Sequence, residues 1–109
     1  GMDEALAHDL FNLGKLLFDL RRDAEAEPVL VEAVDHGRHH HGGDHEALVS
    51  LLILLGRARL ALDKPIDAQP ALDEALAMHA RLQPGPSKVM ARLQWFAART
   101  RLQNGEPAR

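Results

Sequence analysis

The chain contains no cysteine and no tyrosine. Without thiols it has no disulfide and no thiolate metal site, and a reducing compartment such as the cytoplasm is expected. Aromatic residues are scarce, with three phenylalanines and one tryptophan. Charge of either sign is nearly balanced, at a formal −3, so no global field points to nucleic acid or to an anionic membrane surface. Long hydrophobic runs are absent too. The longest uncharged run, Ala47 to Gly56, is far short of the roughly 20 residues that a membrane span needs. Gly1 ahead of Met2 reads as an expression scar.

What remains is helix-forming sequence. At 109 residues with 46% hydrophobic residues, the chain can bury the core of a single domain. No segment alternates apolar and polar residues as a half-buried strand does. Leu6, Leu10, Leu13, Leu17 and Leu20 step by three and four, which is helical spacing. The same spacing recurs along the chain and predicts five helices near 3–21, 24–40, 45–62, 66–83 and 87–104. Gly42-Gly43 stops the second helix, and Asp44 is the expected N-cap of the third. Pro84-Gly85-Pro86 stops the fourth, with Ser87 as the next N-cap, and Asp23 is the corresponding choice for the second helix.

The first half of the chain repeats in the second without a gap. "LFNLGKLLFDLRRDAEAEPVLVEA" at 10–33 lies over "LILLGRARLALDKPIDAQPALDEA" at 52–75. Gly14 matches Gly56, Ala26 matches Ala68, Pro28 matches Pro70 and Leu30 matches Leu72, each pair 42 residues apart. A fixed period in this range marks stacked helical hairpins. A glycine inside a helix costs about 1 kcal/mol against alanine, a cost that makes sense where a second helix passes close to Gly14 and Gly56. Ala26 and Ala68 are the expected facing surface.

This pattern resembles the tetratricopeptide repeat, in its longer variety found in kinesin light chains. The resemblance rests on "AEAEP" at 24–28, "DAQP" at 67–70, "GGDH" at 42–45 and the leucine-rich helices before them. It implies an all-α fold, a right-handed superhelix of antiparallel helical hairpins. One domain over 1–109 is expected, with repeat one at about 6–41, repeat two at about 48–83 and a partial repeat or capping helix at about 87–105. The "GEPAR" ending resembles the family's turn into another helix, so a longer array is expected.

The resemblance also implies a non-catalytic interaction module whose first helices line a concave groove. Carried residue by residue into this sequence, the groove positions include Phe11, Asn12 and Lys15, then Ile53, Leu54 and Arg57, then Trp95, Phe96 and Arg99. Lys15, Arg57 and Arg99 form a basic column, and Phe11, Ile53 and Trp95 an apolar one. Such a surface suits an acidic or amphipathic peptide of another protein. Of the family's groove asparagines only Asn12 is kept; Leu54 and Phe96 stand in its register. A regulatory segment of a larger signalling enzyme or transcription regulator is the alternative reading. The apolar surface of helix 87–104 also suggests a homodimer.

Five of the seven histidines fall in "HGRHHHGGDH" at 36–45. His36 and His40 stand one turn apart and are weak metal-ligand candidates, but two imidazoles make half a tetrahedral site. The plainer reading is a polar helix end on which imidazolium also suits the helix dipole. His39 and His41 are expected to face solvent. No cofactor, nucleic-acid or membrane partner is implied, and no nucleophile stands beside a partner base at a recognised spacing.

Overall fold

A computed structural model describes residues 2–106 of the chain. Five helices follow one another: α1 (Met2–Asp19), α2 (Asp23–His41), α3 (Glu46–Ala61), α4 (Pro65–Leu82) and α5 (Lys88–Gln103). All five sequence-predicted helices are present, each within a few residues of its predicted ends. No strand occurs among the described residues.

Each helix packs on the one before it, α1 with α2, α2 with α3, α3 with α4 and α4 with α5. The result is an all-α repeat solenoid. α3 is the central element. Its Leu48, Val49, Leu51, Leu52, Leu54, Leu55, Gly56 and Ala58 are all buried, because hairpins lie on both sides of it, and a helix apolar nearly all round belongs in a core. Leu30, Leu48, Leu52, Leu72 and Leu93 are the largest apolar side chains fully out of water.

The repeat is visible in the backbone. Arg21, Asp63 and Gly105 have φ of 62°, 58° and 79°, again at the 42-residue interval. Each closes the same turn. The amide of the following residue bonds back to Leu17, Arg59 or Arg101, at 2.8 Å every time. This is the left-handed helix stop, and after α1 and α3 it leads straight into α2 and α4.

The caps differ in part from expectation. Ser87 Oγ does accept the Met90 amide at 3.0 Å, and Gly42 takes the left-handed C-cap conformation with φ 68°. The N-cap of α3, however, is His45, whose Nδ1 accepts the Ala47 amide. Asp44 instead receives the Arg81 guanidinium through two bonds of 2.6 and 2.9 Å. Asp23 is the first residue of α2, and the preceding Arg22 caps it with no side-chain bond. Ala26 and Ala68 are fully buried, but the helices approach Gly14 and Gly56 through Leu30 and Leu72, one turn further along.

Ion pairs tie the hairpins together. Arg38 pairs with Glu74 and Arg81 with Asp44, so α2 and its following linker are joined to α4. Glu27 on α2 receives Arg59 of α3 at 3.0 Å and Lys64, just ahead of α4, at 2.9 Å. These cations hold the Glu27 carboxyl below its ordinary value, Lys64 contributing most. Arg81 lowers Asp44 and Arg38 lowers Glu74 in the same way.

Candidate functional site

The groove is built by the exposed sides of α1, α3 and α5, the first helix of each unit. The 42-residue period puts equivalent residues on equivalent faces, so a column in the sequence becomes a row across three helices.

At one end the row is guanidinium and aromatic. Arg57 lies between two rings, 5.1 Å from the Phe18 centroid and 5.7 Å from that of Phe96. Arg99 lies 5.2 Å over Trp95, whose ring meets Phe96 edge-on at 5.0 Å. Phe18, Arg57, Phe96, Arg99 and Gln103 share one recess of about 270 Å³. Cations set over aromatic faces are fixed in position without being neutralised. Among the described residues neither Arg57 nor Arg99 has a carboxylate partner, whereas Lys15 is bound to Asp19 at 2.9 Å. The expected column of three cations therefore has two available members and one that is already paired.

The middle of the groove is apolar. Ile53 lines a recess of about 230 Å³ with Val49, Val89, Arg92 and Phe96. Leu54 departs from expectation. It is only 7% exposed and belongs to the core, so it offers no surface to a partner. Asn12 is exposed, and its amide lies 3.3 Å from His8 Nε2. Trp95 is 56% exposed.

At the other end the groove opens into a recess of about 540 Å³ lined by His8, Phe11, His40, His41, His45 and Ser50, with Glu4 on its rim. His41 is half-buried rather than solvent-facing, because its ring stacks on His45 at 3.7 Å, with planes 12° apart. Burial lowers the His41 pKa from its ordinary value, and the neighbouring His45 and His40 lower it further. Both effects disfavour the charged form of His41.

The metal-ligand candidates diverge. His36 Nδ1 lies 2.9 Å from one oxygen of Asp3, and His39 Nδ1 lies 2.5 Å from the other. His40 points to Glu4 at 3.8 Å. His36 and His40 thus serve different carboxylates and tie the start of α1 to the end of α2. No three His, Cys, Asp or Glu side chains among the described residues are placed to hold a metal ion together.

The buried histidine is one that the sequence did not single out. His79 is fully enclosed at the end of α4, 3.2 Å from Glu46 through Nδ1 and 3.4 Å from Ser87 through Nε2. The Ser87 oxygen already accepts the Met90 amide. The three side chains therefore form a structural link between the starts of α3 and α5. Sequence register pairs His79 with Gly37, and nothing in that pairing signals burial.

The chain matches the tetratricopeptide repeat family over residues 3–81, more than half its length. It belongs to that family. The matched span covers α1 to α4, and α5 is tied to it by the shared turn geometry at Gly105 and by the groove row. None of the curated proteins compared matches the chain. Among the described residues no helix is long and apolar enough to cross a membrane.

Proposed function

We propose that this tetratricopeptide repeat chain binds an extended acidic segment of another protein in the groove of α1, α3 and α5, without catalysing a reaction. Members of the family are generally protein-interaction modules, and the groove here has the chemistry for such a role. The observation that carries the reading is the pair Arg57 and Arg99. Both cations are fixed over aromatic rings, both line one recess, and neither has a carboxylate of its own among the described residues. A carboxylate placed between them gains charge-assisted hydrogen bonds. Adjacent apolar side chains of the same segment find Ile53 and Phe96 on one side. The imidazole recess around His41 and His45 gives the far end a pair of stacked rings against which an aromatic or apolar side chain packs.

The test uses a fluorescein-labelled acidic peptide with one central tryptophan, titrated with the protein and read by anisotropy. Arg57→Glu is expected to weaken binding at least tenfold while the far-UV spectrum stays helical. Affinity is also expected to fall as salt is added, since exposed charges are screened within about 8 Å at physiological ionic strength. Equal binding by the variant, or indifference to salt, removes the arginine pair from the mechanism.

A further inference from the structure

An apolar surface is left open on the outer face of α1. Met2, Leu6, Leu13, Leu16 and Leu20 are exposed there, from 37% at Leu6 to 80% at Met2. These leucines are not the ones that hold α1 to its hairpin. That work falls to Ala7, Leu10, Gly14 and Leu17, which are buried or half-buried. α1 therefore has two apolar faces, and the second has no covering element among the described residues.

The repeat shows what kind of surface this is. Leu6, Asp9, Leu13 and Leu16 stand in register with Leu48, Leu51, Leu55 and Ala58 of α3. All four α3 residues are buried, and α2 packs against that helix. The equivalent positions of α5 include Leu93, Ala97 and Thr100, also buried, where α4 packs. At this register the fold buries its first helices against another helix.

The spacing on α1 specifies the occupant further. Met2, Leu6, Asp9, Leu13, Leu16 and Leu20 step by four, three, four, three and four, the a/d seam of a coiled coil. The steps read the same in both directions. A second copy of α1, reversed about Phe11, sets Met2 against Leu20, Leu6 against Leu16, and Asp9 against Leu13. Charge decides the direction. Parallel pairing would bring Asp9 against Asp9, and like charges at a desolvated seam are costly. Antiparallel pairing separates the two carboxylates, setting each Asp9 against Leu13 of the other copy. A single polar residue in a seam fixes register at some cost in stability. A contiguous open apolar face of this kind marks an association site on a monomer.

We infer that two copies of this chain pair antiparallel through the outer faces of their α1 helices. The groove residues Phe11, Lys15 and Phe18 lie off that seam, so pairing leaves the arginine recess free. The inference is independent of what the groove binds. It also places self-association on α1 rather than on the helix 87–104 suggested by the sequence. On α5 the open face carries exposed Gln94 where α1 and α3 have Leu10 and Leu52, and the Arg99 guanidinium sits over one face of the Trp95 ring.

Sedimentation of the full chain across concentrations tests this. Dimer is expected to appear by about 100 μM, as suits an interface at the small end of the range. Leu16→Glu, on an exposed position that tolerates the change, is expected to weaken association at least tenfold. Asp9→Leu is expected to tighten it at least tenfold, and Trp95→Ala with Leu102→Ala to leave it unchanged. Because the chain has no cysteine, single thiols report geometry. Mixed Leu6→Cys and Leu16→Cys chains are expected to cross-link to each other faster than Leu16→Cys chains cross-link among themselves. A monomer at every concentration overturns the inference and leaves the face to a helix of another protein or of a longer chain. A dimer that ignores Leu16→Glu and Asp9→Leu, or that dissolves with the α5 pair, overturns it as well.

Discussion

Gly56 lies directly against Leu72. A methyl group built on its α-carbon would stand 2.6 Å from Leu72 Cδ2 and 2.7 Å from Cγ. Leu72 is fully buried, and the Cγ contact leaves no flexible side-chain end to swing away. Gly56→Ala therefore sets a helix-propensity gain of about 1 kcal/mol against an overpacking cost of about 1–3 kcal/mol. The expected result is a net loss, visible as a melting temperature lower by about 5 °C for a domain of this size. Ala98 holds the same register in α5 and is only half-buried, with no second helix following it among the described residues. There the sign reverses: Ala98→Gly is expected to destabilise by about 1 kcal/mol through propensity alone. Denaturant unfolding of both variants checks the pair.

Glu27 carries one of the links between the first two hairpins, and Glu27→Gln isolates its charge. Gln69 occupies the same register in the second unit, so the amide fits the site. Lys64 and Arg59 depress the folded-state pKa of Glu27 below 4.5. A carboxyl depressed on folding stabilises the protein above its unfolded value, and the contribution fades as pH falls through the folded one. The expected loss at pH 7 is at most about 1 kcal/mol, because both cations remain partly in water. The gap between wild type and variant is expected to close as pH drops below 4.5. A gap that persists at pH 3 would mean that the ion pairs are not its source.

Much of this was legible in the sequence, for a physical reason. A 42-residue period with helical spacing inside it can be satisfied only by stacking like on like, so helix count, order and the groove row follow. Register specifies which way a side chain faces, and it does not specify what stands opposite. Leu54 shows the limit. It shares a register with Asn12, which is exposed because the outer side of α1 is open. On α3 a hairpin covers that side, and the equivalent residue enters the core. Lys15 shows another limit: its pairing depends on Asp19, whose register mates are Ala61 and Gln103. The leucines of α1 hid a second apolar face, since a step of three or four fits either stripe. His79 was masked by the histidine run, although it is the imidazole enclosed between Glu46 and Ser87.

Removal of metal is expected to change nothing. His36 and His39 already face Asp3, and His40 faces Glu4, so no folding energy is linked to an ion. Melting curves with and without chelator, on protein freed of any affinity tag, are expected to superimpose. A drop of several degrees on chelation would show that the histidine run holds a structural metal.

The last prediction separates the three cations of the groove. If charge alone attracted the acidic segment, Lys15, Arg57 and Arg99 would contribute alike, since all three line the same row. The structure ranks them differently. Lys15 holds Asp19 in an exposed pair, so an incoming carboxylate must compete with one already in place. Arg57 is fixed by Phe18 and Phe96, and Arg99 by Trp95, so both are ordered before the ligand arrives and lose little side-chain entropy on binding. Lys15→Ala is expected to change the affinity for the labelled acidic peptide by less than about twofold, near the limit for an exposed charge. Arg57→Ala and Arg99→Ala are each expected to weaken it about tenfold, in keeping with loss of a charge-assisted hydrogen bond. Phe18→Leu keeps the apolar volume and removes the ring beneath Arg57. A weakening of a few-fold there, with Lys15→Ala still silent, would tie the affinity to how the guanidinium is held, whereas equal losses at all three cations would reduce the groove to a diffuse positive field.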